Sequence, residues 1–335
     1  MAHVTFDEMQ QTLCAVFAGA GVPHENAELC ATVISRSTFD GVFSHGVRQV
    51  PGLIAKIRGG SVSATEAARQ ARVMGALEQW DGRFGIGVVN ATRCTDRAIE
   101  LAGEHGVGCV GLRNTSHWLR AGSYGRQAVE RGYALVCWTN TAPNMPAWGA
   151  LTNSVGNNPL VLAVPHPETP LVLDIAMSQF ALGALGLYSE SGRPLPVPGG
   201  YDPRGELSTD AAAIREARRV LPMGYWKGSG LALALDALAT ALTAGNSTAD
   251  YARMGEERGV SQVFIAFDVE RSAGSELLDR AVREIQDLVH RADPVDPERR
   301  PYAPGEGALR RRRETLARGL DIDDALWERI LALRP

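Results

Sequence analysis

Several features are scarce in this 335-residue chain, and each scarcity removes a class of function. Charge of one sign is missing: 34 Lys and Arg stand against 38 Asp and Glu, a formal net charge of -4. Such a balance provides no field that gathers nucleic acid or an anionic membrane surface. No apolar run reaches the roughly 18 residues, free of charge and glycine, that a membrane-spanning helix needs. The opening MAHVTFDEMQQ has no basic stretch followed by an apolar one, so no secretory leader is expected and the expected compartment is the cytoplasm. Cysteine is sparse and odd in number, with five at Cys14, Cys30, Cys94, Cys109 and Cys137. They lie far apart without a CxxC pair, which argues against a disulfide framework and against a zinc site, so no metal is expected. GxxxxGK[ST] and HExxH are also missing, which leaves P-loop and zincin chemistry without a basis. Small molecules and copies of the chain itself remain as partners.

Apolar residues make up 45% of the chain. Its length exceeds the roughly 250–300 residues at which single cores stop growing, so two or three regions are expected. Thr5 and Glu8 read as a capping box, and Met9, Leu13, Val16 and Phe17 repeat at helical spacing until Gly19 and Gly21. A second helix is expected from about Glu25 to Thr38, and a third after Val47 up to Arg58–Gly60. From Trp80 the pattern changes to a helix through VVNATRCTDRAIELAGEHG and then to short apolar runs, VGCVGLRN, YALVCWTN, PLVLAVP and PLVLDIAMS. Nearly continuous apolarity over these lengths reads as strands covered on both faces. SGRPLPVPGGYDPRGELS reads as a long exposed loop, and SGLALALDALATALTAG as a helix apolar nearly all round and therefore buried. VSQVFIAFDVE adds a strand before closing helices around LRRRRETLARG and DIDDALWERILAL. The expected organisation is α/β: a helical region over 1–75, an α/β core that binds cofactor and substrate over 76–270, and C-terminal helices over 271–335 that pack with the N-terminal region.

Several stretches could carry chemistry. Gly106, Gly108 and Gly111 in GVGCVG match GxGxxG, but a helix precedes them and a strand follows. The dinucleotide fingerprint needs the reverse order, with a helix N-terminus facing the pyrophosphate, so a Rossmann reading fails. In MGYWKGSG, Lys227 and the free N–H groups of Gly228, Ser229 and Gly230 would converge on an anion at a helix start. A flexible glycine entry with a solvated lysine accounts for the same residues. GLRNTSHWLRAGSYG sets Asn114, Ser116, His117 and Arg120 after a strand, where open α/β sheets gather ligands. His117 could exchange a proton near neutral pH or simply bond to its loop. Asp174, alone in an apolar strand, needs a partner or an exit to the strand end. In FSHGVRQ, His45 and Arg48 lie about one helical turn apart. An arginine fork holding a carboxylate beside a proton-donating histidine suits reduction of a 2-oxo acid; a helix-start histidine and a surface arginine are the plainer alternative. Arg310–Arg313 read as a solvated helix face.

Taken together, FSHGVRQ, LRNTSHWLRAGSYG, CWTNTAPNMPAWGA, GNNPL, LDIAMS, LPMGYWKGSG and APGEG resemble the malate/L-lactate dehydrogenase family that lacks a Rossmann fold, over nearly the full length. The resemblance implies a central mixed sheet with a helical region built from both chain ends. It also implies a homodimer that reduces a small 2-oxo acid with NADH, NADPH being the alternative. By the family pattern His45 donates the proton to the substrate carbonyl, and Arg48 holds the carboxylate with Arg120 beside it. His117 matches a second family histidine that takes the acid/base role in one branch, so the division between the two histidines stays open. Cofactor contacts carry over to Thr141, to Asp174, Ile175 and Ala176, to Trp226 and Lys227, and to Gly305, Glu306 and Gly307.

Overall fold

The computed structural model describes residues 1–335. Its centre is a seven-stranded sheet in the order Arg69–Met74, Leu77–Asp81, Val107–Thr115, Val260–Asp268, Tyr133–Thr139, Leu160–Val164, Leu171–Ile175. Leu77–Asp81 and Val107–Thr115 run parallel, and every other neighbouring pair is antiparallel. The sheet is therefore mixed, as expected. The Val260–Asp268 strand arrives from late in the chain and takes the middle place, with Val263, Phe264 and Ala266 fully buried.

Helices Gly87–His105 and Gly122–Val129 cover one face, where Ala91, Ala98, Leu112, Trp118, Tyr124 and Phe264 form one apolar cluster. Trp118 stacks on Tyr124 at 5.2 Å and meets Phe264 edge-on at 5.7 Å. Ring pairs in these arrangements add about 0.5–1.5 kcal/mol beyond burial. The other face packs on helix Trp226–Thr243 through Trp138, Leu160, Leu235, Ala239 and Val263.

A separate apolar cluster of 25 buried residues joins the two chain ends. Helices Phe6–Gly19, His24–Phe39 and Val50–Arg58 contribute Met9, Leu13, Phe17, Ile34 and Leu53, while the C-terminal Asp324–Leu331 helix contributes Trp327 and Ile330. Strand Ala2–Val4 pairs antiparallel with Leu320–Ile322 and closes the region. Thr5 caps the first helix, its hydroxyl accepting from the Glu8 N–H at 3.3 Å.

Four expectations change. Arg69–Met74, the edge strand of a hairpin with Leu77–Asp81, carried no strand signal because RQARVM is exposed and charged, as edge strands that resist aggregation are, and Leu77–Asp81 carried none because its buried residues, Glu78 and Gln79, are polar. Helix Trp226–Thr243 buries a single face; Trp226, Leu233 and Leu238 are 67%, 55% and 50% exposed. The stretch read as one long loop contains short strands Gly200–Tyr201 and Leu207–Ser208, which join Arg219–Val220 in a three-stranded sheet. Helix Ser275–Arg291 is tied to the loop after Leu160–Val164: Thr169 Oγ1 donates to Gln286 Oε1 at 2.9 Å, and Gln286 Nε2 donates to the Thr169 carbonyl at 2.8 Å. No single helix is long and apolar enough to cross a membrane.

Candidate active site

A cavity of about 1270 Å³ opens where the helical region meets the edge of the sheet. Asp40, Ser44 and His45 line it from one side, and Arg120 and Gly122 from the start of helix Gly122–Val129. Asp174, Ile175 and Ala176 close it at the end of the last strand, and Gly305, Gly307 and Arg311 also line it.

Local sequence explains the His45 turn. Helix His24–Phe39 ends and the chain makes two 3-10 turns, Phe43–His45 and Val47–Gln49, broken at Gly46. A Cβ on Gly46 would stand 2.5 Å from Thr38 Oγ1, so only glycine lets the turn lie against the helix. Thr38 pins it: its hydroxyl accepts from the Val47 N–H at 2.9 Å and donates to the Ile34 carbonyl at 2.8 Å. The break at Gly46 also separates His45 from Arg48. His45 lines the cavity, whereas Arg48 is exposed and is not among the lining residues.

The rings of His45 and His117 stack 6.0 Å apart at 21°. His117 Nδ1 accepts from the Leu119 N–H at 3.0 Å, which places the proton of the neutral ring on Nε2. Burial, and then the neighbouring His45, push His117 down to about 4. His45 is also lowered, first by burial; Asp174 opposes that shift and Arg120 adds to it. His45 Nδ1 lies 3.1 Å from Ser44 Oγ. Near neutral pH His117 is a fixed neutral ring, and His45 is the member of the pair that faces the cavity.

Asp174 finds the partner its strand demanded. The Gly122 N–H donates to Asp174 Oδ2 at 2.9 Å, and Arg120 Nε stands 3.8 Å from the same oxygen. A Cβ on Gly122 would come within 2.7 Å of that oxygen. Arg120 also donates to Asp40 Oδ2. Asp40 is 1% exposed and takes a second guanidinium, with Arg312 Nε on Oδ1 at 2.5 Å and Nη2 on Oδ2 at 2.8 Å. Burial raises the Asp40 carboxyl and Arg120 acts against it. The Arg310–Arg313 run is thus more than a solvated face: Arg312 turns inward and Arg311 lines the cavity.

Other expected contacts sit elsewhere. Thr141 is buried, its N–H donating to Asn158 Oδ1 at 3.0 Å and its hydroxyl to Asn157 Oδ1 at 3.2 Å, and it is Asn157 that lines the cavity. Glu306 turns to His290, 2.8 Å away, and to the Ala303 N–H. Trp226 and Lys227 are exposed and do not line this cavity. Of the N–H groups expected to converge on an anion there, those of Gly228 and Ser229 donate to the Met223 and Tyr225 carbonyls. Gly228 is glycine because a Cβ would stand 2.4 Å from the Met223 carbonyl and 2.9 Å from that of Met177.

Sequence reasoning passed over Asp40, Arg312 and Asn157. One signal was present. Asp40 follows the last turn of a helix, where the macrodipole disfavours a carboxylate, so it needed cations from elsewhere in the chain.

The model of the malate/L-lactate dehydrogenase family matches residues 4–331. The chain belongs to the malate/L-lactate dehydrogenase family. Curated relatives named 2,3-diketo-L-gulonate reductase, from Citrobacter koseri and Escherichia coli, are each 41% identical over 98% of this chain and 99% of their own. Among solved structures, sulfolactate dehydrogenase from Methanocaldococcus jannaschii superposes with a TM-score of 0.89 at 27% identity, covering 99% of this chain and 96% of that one. Malate dehydrogenase from Entamoeba histolytica reaches a TM-score of 0.92 at 23% identity over 99% and 97%, a likeness of fold. As a member of the malate/L-lactate dehydrogenase family the protein is an oxidoreductase acting on a CH–OH/C=O group.

The cavity suits the nicotinamide cofactor this family implies. Its volume exceeds the roughly 300–1,000 Å³ typical of small-molecule pockets. Gly305, at φ +100, leaves bare backbone at the wall; a Cβ there would stand 3.1 Å from both the Pro170 carbonyl oxygen and the Val172 nitrogen. Asp174, Ile175, Ala176, Gly305 and Gly307 are the residues that would hold the cofactor.

Proposed function

We infer that the protein reduces the 2-oxo group of 2,3-diketo-L-gulonate to give 3-dehydro-L-gulonate, with NADH as the electron donor. The observation that carries this reading is the 41% identity to 2,3-diketo-L-gulonate reductases along the whole chain. The polar residues among the cavity lining, with Ser44, Asn157 and Arg120, suit a hydroxylated acid.

Bound reduced nicotinamide supplies the hydride. As the C2 carbonyl π bond opens, negative charge develops on its oxygen, and His45 gives that oxygen a proton and is recharged from solvent. Asp174 favours the charged form of His45 against its burial. His117, neutral and fixed by the Leu119 N–H, backs the His45 ring. Arg48, exposed and without an ion pair, is free to meet the entering carboxylate, and Arg120 provides a second cationic group inside. Asp174, Ile175, Ala176, Gly305 and Gly307 would hold the cofactor, with Thr141 acting through Asn157. The exposed apolar face of helix Trp226–Thr243 supports a homodimer that covers Trp226 and Lys227. Five unpaired cysteines fit a cytoplasmic setting.

The test is a panel of 2-oxo and cyclic imino acids assayed by nucleotide oxidation with NADH and with NADPH, for wild type and His45→Ala. Diketogulonate with NADH is expected to have the highest kcat/KM. Turnover of His45→Ala at the wild-type rate would remove the proton-donor role, and a better acid elsewhere in the panel would replace the substrate.

A further inference from the structure

Asp40 belongs to no motif, yet it joins three segments that line the cleft. It follows helix His24–Phe39 and stands five residues before His45. Its two oxygens are filled by Arg120 and by the fork of Arg312. Both guanidiniums are nearly as buried as the carboxylate, at 10% and 12% exposure against 1%. Arg120 comes from the loop that carries His117, and its Nε, which has no hydrogen-bond partner, stands 3.8 Å from Asp174. Arg312 comes from helix Glu306–Arg318, whose entry residues Gly305 and Gly307 line the cavity. The same helix is held a second time at the same place, where Thr315 Oγ1 donates to the Phe39 carbonyl at 2.7 Å.

Fork geometry fixes direction as well as distance, so this carboxylate sets where two cleft walls stand relative to the His45 turn. A buried carboxylate flanked by two arginines is costly to desolvate and is a poor device for stability alone. We propose that Asp40 is a positioning residue for the reaction: it aims Arg120 at Asp174 and, through Arg312, docks the glycine wall of the cofactor site beside His45. The inference rests on the nicotinamide-dependent reading above.

The test uses the full-length protein as wild type, Asp40→Asn and Arg312→Gln, with three readouts. These are hydrogen exchange without cofactor, NADH affinity by fluorescence titration, and kcat and KM with the best acid of the panel. Arg312→Gln is expected to speed exchange in Glu306–Arg318 and to weaken NADH about tenfold, with kcat at saturation within about twofold, since the two-bond fork on Asp40 is lost while Arg120 keeps its place. Asp40→Asn is expected to weaken NADH at least as much and also to lower kcat about 10- to 100-fold, because Arg120 is released as well. Melting temperatures lowered in both variants, with NADH affinity and kcat unchanged, would reduce Asp40 to a structural ion pair and overturn the inference. If Asp40→Asn does not fold, Arg312→Gln decides alone, and unchanged NADH affinity overturns it. A wild type that binds no nicotinamide nucleotide overturns the reductase reading, and this inference with it.

Discussion

The His45 turn and the His117 loop present similar rings to one another across 6.0 Å, yet the chain treats them differently. His45 lies on a 3-10 turn that faces the cavity, and the Asp174 carboxylate partly offsets the effect of its burial. His117 lies behind it, its Nδ1 occupied by a backbone N–H and its pKa pushed down to about 4. Two imidazoles in one motif set are therefore not interchangeable: access to the cavity and a nearby carboxylate suit His45 to the proposed proton transfer, and desolvation keeps His117 neutral.

The strongest way to break this contrast is substitution. His45→Ala is expected to lower kcat by about 10²- to 10⁴-fold, the usual value of a positioned general acid. Circular dichroism melting should change little, since the ring lines the cavity rather than the apolar core. A second test uses acid. His117 titrates at about 4 when folded against an ordinary 6.5, so the unfolded chain binds the extra proton between those values. Stability from this group is complete above pH 6.5 and is lost as pH falls toward 4, in all about 3 kcal/mol. Denaturant midpoints measured across that range check it, and His117→Gln should flatten the slope.

A smaller effect is expected at Thr38, which holds the His45 turn. Thr38→Val keeps the shape but leaves the Val47 N–H unpaired in a buried place, which costs about 1–3 kcal/mol. The same change should lower kcat while leaving the NADH KM unaltered. Arg48→Gln is expected to raise the KM for the 2-oxo acid about tenfold, the lower end for a charge-assisted contact, with kcat and the NADH KM nearly constant. Steady-state kinetics with each substrate varied in turn separates the two.

The strands and both long helices of the sheet layer were legible because their apolar spacing is strong, as in VSQVFIAFDVE and VVNATRCTDRAIELAGEHG. The hairpin at Arg69–Asp81 was not, because its edge strand faces water and its inner strand buries the polar Glu78 and Gln79, so neither has an apolar period to read. In the site, His45, Arg120 and Asp174 come together from residues far apart in sequence, and sequence reasoning had singled out each of them by type and setting. Spacing set Arg48 beside His45, but Gly46 breaks the turn between them and leaves Arg48 exposed outside the cavity lining. Asp40 and Arg312 lie 272 positions apart, and their pairing depends on the two chain ends sharing one core. The exposed face of Trp226–Thr243 could not be told from a buried one, because a helix apolar all round does not say which side meets the sheet.

The central claim is that His45, and not His117, hands over the proton. Its most direct measurement is the pH dependence of kcat/KM for NADH-driven reduction in the wild type and in His117→Gln. Reduction needs the charged form of His45, whose pKa lies below the ordinary 6.5. The profile should therefore be flat in acid and fall about tenfold per pH unit above a single break below pH 6.5, and the break should persist in His117→Gln. A break that disappears with His117, or a profile that rises with pH through this range, would contradict the assignment.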